Sequence, residues 1–189
     1  LPFNSPDRDV ENLCGKCLLH LPCYSGARSF GYYEAELSRL AQGLKFHSRR
    51  NLVGLLSPLM ASTFCESWNS EEFDLIVPVP LHPKRKRERG YNQSELLARA
   101  LAAQIAIPVD SRVLIRIRST LPQIGLSDSQ RLENVRNAFR CIHASRISKK
   151  RILLIDDVMT TGATVASAAQ ALMEAGCSRV SVLTAARAA

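Results

Sequence analysis

The stretch RILLIDDVMTTGAT, residues 151–164, decides the fold. Its apolar run from Ile152 to Ile155 is short and continuous, the pattern of a strand buried on both faces of a parallel sheet. Two adjacent acids, Asp156 and Asp157, close the run, so a strand is expected over 151–157. Threonines and Gly162 follow, and an alanine-rich helical pattern begins near residue 164. A helix N-terminus exposes backbone N–H groups and a partial positive charge, which suits a phosphate. Gly162 lets the backbone come close, and the hydroxyls of Thr160, Thr161 and Thr164 are further donors. The acids do not suit a phosphate, because like charges at contact distance repel. Carboxylates accept hydrogen bonds and vicinal hydroxyls donate them. A sugar phosphate with its phosphate in the turn and two hydroxyls at the acids satisfies both halves, and ribose 5-phosphate has that layout.

Other readings of an apolar strand ending in Asp-Asp fit less well. The magnesium strand of a P-loop NTPase requires GxxxxGK[ST], which occurs nowhere in the chain. A phosphatase-type aspartyl nucleophile sits in a D-x-D pattern, whereas the second residue after Asp156 is Val158. A purely structural role, two acids capping a strand end, leaves the threonines and Gly162 unexplained.

Outward from this stretch, FDLIVPVPL (73–81) reads as a second buried strand in the middle of the sheet. Pro78 and Pro80 belong at its exit, since proline cannot donate to a sheet ladder. Asn92 to Gln104 is helical, with Asn92 as N-cap and Glu95 completing a capping box. Helices are also expected near 37–44, over 50–68 and over 126–139, the last opened by a Ser127–Gln130 pair. RVLIRIRST (112–120) reads as a half-exposed strand, SRVSVLTAA (178–186) as a final one, and SFGYYEAEL (29–37) opens with a short strand or turn. Gly176 ends the helix that begins near 164. Alternating strands and helices predict an α/β domain with a central, mostly parallel sheet flanked by helices. Ligands of such sheets bind beyond the carboxyl ends of the strands, so the 151–164 turn and the exit of 73–81 belong to one site.

IDDVMTTGAT closely resembles the phosphoribosyl pyrophosphate (PRPP) signature of type I phosphoribosyltransferases. Together with LKF (44–46), VPVPLHPKRKRERGYNQSELLARAL (77–101) and QIGLSDSQRLENVRNAF (123–139), it resembles the ComF/GntX family, linked to natural competence and the use of external DNA. The resemblance runs from about residue 30 to 187 and implies a type I phosphoribosyltransferase-like fold. It implies that Asp156 and Asp157 hold the ribose hydroxyls, while Thr160, Thr161, Gly162, Ala163 and Thr164 cradle the 5′-phosphate. Val79, Pro80, Lys84, Arg85 and Arg89 would meet the pyrophosphate, where Mg²⁺ shares the neutralisation. In the chemistry so implied, C1 loses pyrophosphate through an oxocarbenium-like state while a nucleophile enters. The protein positions the reactants and stabilises the departing charge. No pattern in the chain recognises a purine, a pyrimidine or an amide donor, so neither an acceptor nor a catalytic residue is assigned. The competing reading is a non-catalytic module that keeps a PRPP site and engages single-stranded DNA or competence proteins.

The chain has 189 residues, 46% hydrophobic and 22% charged, an ordinary globular composition. Its net charge of +8 favours anionic partners. The run HPKRKRERGYN (82–92) sets five basic residues against Glu88. Lys86, Arg87, Tyr91 and Arg131 are the nucleic-acid candidates. The same charges read as a solvated loop, or as partners of Glu95 and Glu133. Tyr91 is the run's single aromatic, a poor stacking platform.

Residues 1–29, punctuated by Pro and Gly and containing cysteines, read as a short irregular N-terminal segment ahead of a domain at 30–189. Cys14 and Cys17 have the spacing of half a zinc site. The ComF resemblance implies that they are the remnant of a four-cysteine Zn²⁺ ribbon. His20 and Cys23 continue the string, but so tight a spacing rarely closes a tetrahedral site. Cys65, Cys141 and Cys177 read as small buried hydrophobes. The N-terminus lacks the layout of a signal peptide, and Leu52–Ala61 is too short to span a bilayer. A soluble, cytoplasmic protein is therefore expected.

Overall fold

The computed structural model describes residues 22–46, 49–119, 130 and 134–188. In chain order they form β1 (Gly26–Tyr32), α1 (Ala35–Phe46), α2 (Val53–Ser67), β2 (Leu75–Pro78), α3 (Pro83–Arg89), α4 (Gln93–Ile105), β3 (Leu114–Arg116), β4 (Phe139–Cys141), β5 (Arg151–Met159), α5 (Ala163–Glu174) and β6 (Arg179–Arg187). Four strands make one parallel sheet in the order β1-β6-β5-β2, so β5 lies inside it.

Successive strand residues point to opposite faces, and both faces of β5 are covered. Ile152 and Leu154 join the core with Val165, Ala169 and Leu172 of α5 and with β3 and β4. Leu153 and Ile155 join the other core layer with Leu44 of α1, Phe64 of α2 and Leu101 of α4. This two-sided burial is why the segment reads as an uninterrupted apolar run. Each such side chain contributes roughly 1.5–3 kcal/mol on leaving water.

The α/β expectation holds, and several local ones need correction. β2 is shorter than 73–81 and lies at the edge of the sheet rather than at its centre. Pro78 is its last residue, paired with Ile155, where its missing N–H costs no ladder bond. The edge is partly covered by the Pro108–Asp110 segment: Ile76 N–H donates to Pro108 at 2.8 Å and Asp110 N–H donates to Ile76 at 3.0 Å. β1 starts at Gly26 and pairs with β6, so the segment read as irregular already enters the sheet before residue 30.

The expected strand 112–120 shrinks to β3, which pairs antiparallel with β4. Phe139 begins that second strand instead of ending a helix. Of the expected 126–139 helix, residues 130 and 134–139 are described: Gln130, Asn134 and Val135 are helical, the chain turns at Arg136 and Asn137, and Ser127 lies outside the described residues. The basic run is not a loop. It forms α3, with His82 as N-cap, Pro83 at its start and Gly90 left-handed at its end (φ 78°). Asn92 does cap α4, but Glu95 turns away to Lys86 and Arg99 instead of closing a box.

Gly176 (φ 91°) ends α5 as expected, through bonds from Gly176 N–H to Met173 and from Cys177 N–H to Leu172. Cys177 is buried and Cys141 half-buried, whereas Cys65 is exposed on α2 and is no core residue. No helix among the described residues is long and apolar enough to cross a membrane.

Candidate functional site

A cleft of about 460 Å³ opens where β5 and β2 end. Asp156 and Asp157 stand at its floor, both buried. Each accepts the next residue's N–H, Asp157 N–H to Asp156 Oδ1 and Val158 N–H to Asp157 Oδ1, both at 2.9 Å. Ser94, at the start of α4, donates its hydroxyl to Asp156 Oδ1 at 2.8 Å. From the end of α1, Lys45 Nζ comes within 3.1 Å of Asp157 Oδ2. The contact is an ion pair between the ammonium and the carboxylate.

Burial first, and then the neighbouring Asp157, push the Asp156 carboxyl up to about 7 from an ordinary 3.8. Burial works against a charged Lys45, but Asp157 and Asp156 outweigh it and hold the ammonium above its usual range. Among the described residues, the lysine and arginine side chains lining the cleft are Lys45, Arg85, Arg89 and Arg116, against the two aspartates. The cleft is thus acidic at one point and cationic around it. Arg89 is fixed by a 2.6 Å bond to Gln93, and Arg116 lies over the Phe139 ring at 5.3 Å.

The turn after β5 supplies the other end. Gly162 is left-handed (φ 79°) and caps α5, and with Thr160 and Thr164 it lines the cleft. Thr161 and Ala163 do not line it. Thr161 Oγ1 accepts the Ala163 N–H at 3.4 Å, and the Ala163 side chain is in the core. On the opposite bank Val79, Pro80, Arg85 and Arg89 line the cleft, and Lys84 does not. Asn92 Nδ2 donates to the Val79 carbonyl at 3.0 Å, tying that bank to the start of α4.

Among the described residues, the nucleic-acid candidates do not all reach the surface. Tyr91 is 5% exposed with its hydroxyl donated to Leu44, so the stacking role considered for it is ruled out. Lys86 pairs with Glu95 at 3.3 Å, and Arg87 is exposed on α3. Arg131, Cys14 and Cys17 lie outside the described residues. Among the described residues no group of three His, Cys, Asp or Glu side chains is placed to hold a metal ion.

A family model described as the phosphoribosyl transferase domain matches residues 92–189. The DNA utilization protein YhgH of Salmonella typhimurium is 36% identical over 172 residues, covering 89% of this chain and 75% of that protein. Competence protein F of Haemophilus influenzae is 32% identical over 179 residues, covering 93% and 78%. The chain belongs to the competence protein F (ComF) family. The ComF-family fold here is also similar to that of the glutamine PRPP amidotransferase from B. subtilis, with TM-score 0.50 at 20% identity. That similarity covers 76% of this chain and 30% of the amidotransferase chain, and it bears on the fold alone.

Several residues of this ComF-family cleft escaped the sequence reading, among them Lys45, Ser94 and Arg116. Lys45 stood in plain view inside LKF, but nothing local showed that the end of α1 reaches the floor of the cleft. Arg116 looked like the polar side of an alternating strand. Ser94 looked like an ordinary first-turn residue. All three become site residues only through packing between elements distant in sequence.

Proposed function

We propose that the chain binds PRPP or a related ribose phosphate in this cleft and serves the use of imported DNA in the cytoplasm, the theme its relatives' names carry. One observation carries the reading: an acid pair and a glycine-capped helix start lie side by side, with two arginines on the facing bank. A ligand with phosphates at both ends and hydroxyls between them matches that order of charge. Asp156 and Asp157 would accept the ribose hydroxyls, the Thr160–Thr164 turn would hold the 5′-phosphate, and Arg85 and Arg89 would take the pyrophosphate.

The donor set fits a magnesium ion only where the ligand supplies most of its oxygens. Two carboxylates line the cleft, and Lys45 already faces one of them. When bound with PRPP, magnesium would supply neutralisation of the departing pyrophosphate. Arg85 and Arg89 would share that task from the α3 side, while the half-buried cleft raises the strength of each charge contact.

Thermal unfolding with PRPP and Mg²⁺ tests the reading. A ligand that binds only the folded chain raises the melting temperature, and goes on raising it with the logarithm of ligand concentration above Kd. The wild-type protein should melt higher with PRPP, and Asp157→Asn should lose most of that rise. No shift in the wild type, or an equal shift in both, defeats the proposal.

A further inference from the structure

Asp156 and Asp157 are adjacent and buried, and ionising both costs free energy unless a cation stands close. Several positive groups line the same cleft, but they are not equivalent. Arg85 and Arg89 reach it from α3, Arg89 already bonded to Gln93. Arg116 comes from β3 and lies over Phe139. Ser94 of α4 offers only a neutral hydroxyl, and Tyr33 lines the outer wall. Lys45 alone among the described residues forms an ion pair with either acid, at 3.1 Å from Asp157 Oδ2.

Lys45 also borders a smaller hollow of about 200 Å³, together with Phe46, Arg85, Glu88 and Arg89, that adjoins the main cleft. Its ammonium has three donors, and pairing with Asp157 leaves donor capacity for a ligand oxygen. A divalent cation bound directly to Asp157 would have to take the position Lys45 holds, against the repulsion of its charge.

We propose that Lys45 is a ligand-positioning residue that serves as the fixed counter-cation of the acid pair, so that the sugar end of a ribose phosphate is held without a divalent metal. The inference rests on the ribose-phosphate reading above and deepens it. It assigns any metal requirement to the pyrophosphate end alone. It also separates two ligands that share one sugar: ribose 5-phosphate should bind independently of magnesium, and PRPP should not.

Calorimetric titration of the full chain with ribose 5-phosphate and with PRPP, each in EDTA and in excess Mg²⁺, tests this. In the wild type the ribose 5-phosphate affinity should be the same in both buffers, and the PRPP affinity should rise with Mg²⁺. Lys45→Met should weaken ribose 5-phosphate about tenfold in EDTA, with Mg²⁺ restoring part of the loss, as expected for a partly buried charge pair. Lys45→Arg, which keeps the charge, should stay close to the wild type in EDTA. Ribose 5-phosphate binding in the wild type that strengthens severalfold with Mg²⁺ overturns the proposal without recourse to any variant. So does a Lys45→Met protein that binds as the wild type does in EDTA. If the wild type binds neither ligand under any condition, the ribose-phosphate reading itself falls and takes this inference with it.

Discussion

The hydroxyl of Tyr91 donates to the carbonyl of Leu44, so the turn before α4 holds the last turn of α1 in place. Lys45 is the next residue, and its reach to Asp157 depends on where that turn is pinned. Arg50 lies over the Tyr91 ring at 4.7 Å and closes the same joint from outside. Tyr91→Phe removes a buried donor and should destabilise the fold by about 1–2 kcal/mol. Urea unfolding reads the loss directly. Ribose 5-phosphate affinity should fall with it, because Lys45 loses its anchor.

Asp156 carries a stability cost that depends on pH. Its carboxyl is raised to about 7 in the fold, against 3.8 for the ordinary group, so between those values the folded chain binds more protons than the unfolded one. The contribution of this group is therefore complete below about pH 4 and is lost as pH rises towards 7. Asp156→Asn cannot ionise and can still accept from Ser94. The variant should melt above the wild type at pH 8 by a wider margin than at pH 5. Melting curves at the two pH values that show equal margins contradict this.

Gly162 is left-handed, and a Cβ there would meet the Tyr24 hydroxyl only at an ordinary 3.5 Å. The cost of Gly162→Ala is therefore conformational and should be about 1–2 kcal/mol. Thermal unfolding measures it. The added methyl also stands in the turn proposed for the 5′-phosphate, so inorganic phosphate should compete less well with ribose 5-phosphate in the variant.

Arg89 lines the cleft from α3, across from the turn after β5. Arg89→Ala should weaken PRPP about tenfold or more while leaving ribose 5-phosphate within about threefold, as expected for a lost charge-assisted contact. A parallel loss for both ligands would place Arg89 at the sugar instead.

Much of this fold was legible because β5 and α5 are local patterns: an apolar run with both faces covered, then a glycine turn and a helix. The acid pair and its turn announced themselves for the same reason. β4 did not, because three residues with one buried phenylalanine are too few for a period-two signal. β2 looked central because its four residues are all buried, yet helices and the Pro108–Asp110 segment do the covering that a further strand would have done. Proline and charge made 82–92 look like a loop, although His82, Pro83 and Gly90 are the punctuation of a short helix. Lys45 was hidden most deeply, since its partner lies more than a hundred residues along the chain.

The two banks of the cleft differ in how firmly they are built. β5 is hydrogen-bonded to β6 on one side and β2 on the other, while α3 buries none of its residues. Amide hydrogen exchange should therefore run on two clocks, with β5 exchanging only when the whole domain opens and α3 through local openings of far lower free energy. A ligand spanning both banks would slow exchange almost wholly on the α3 side. Capture of such a ligand would then amount to the ordering of one short basic helix against a rigid floor, and the entropy lost in that ordering would set how tightly its second phosphate is held.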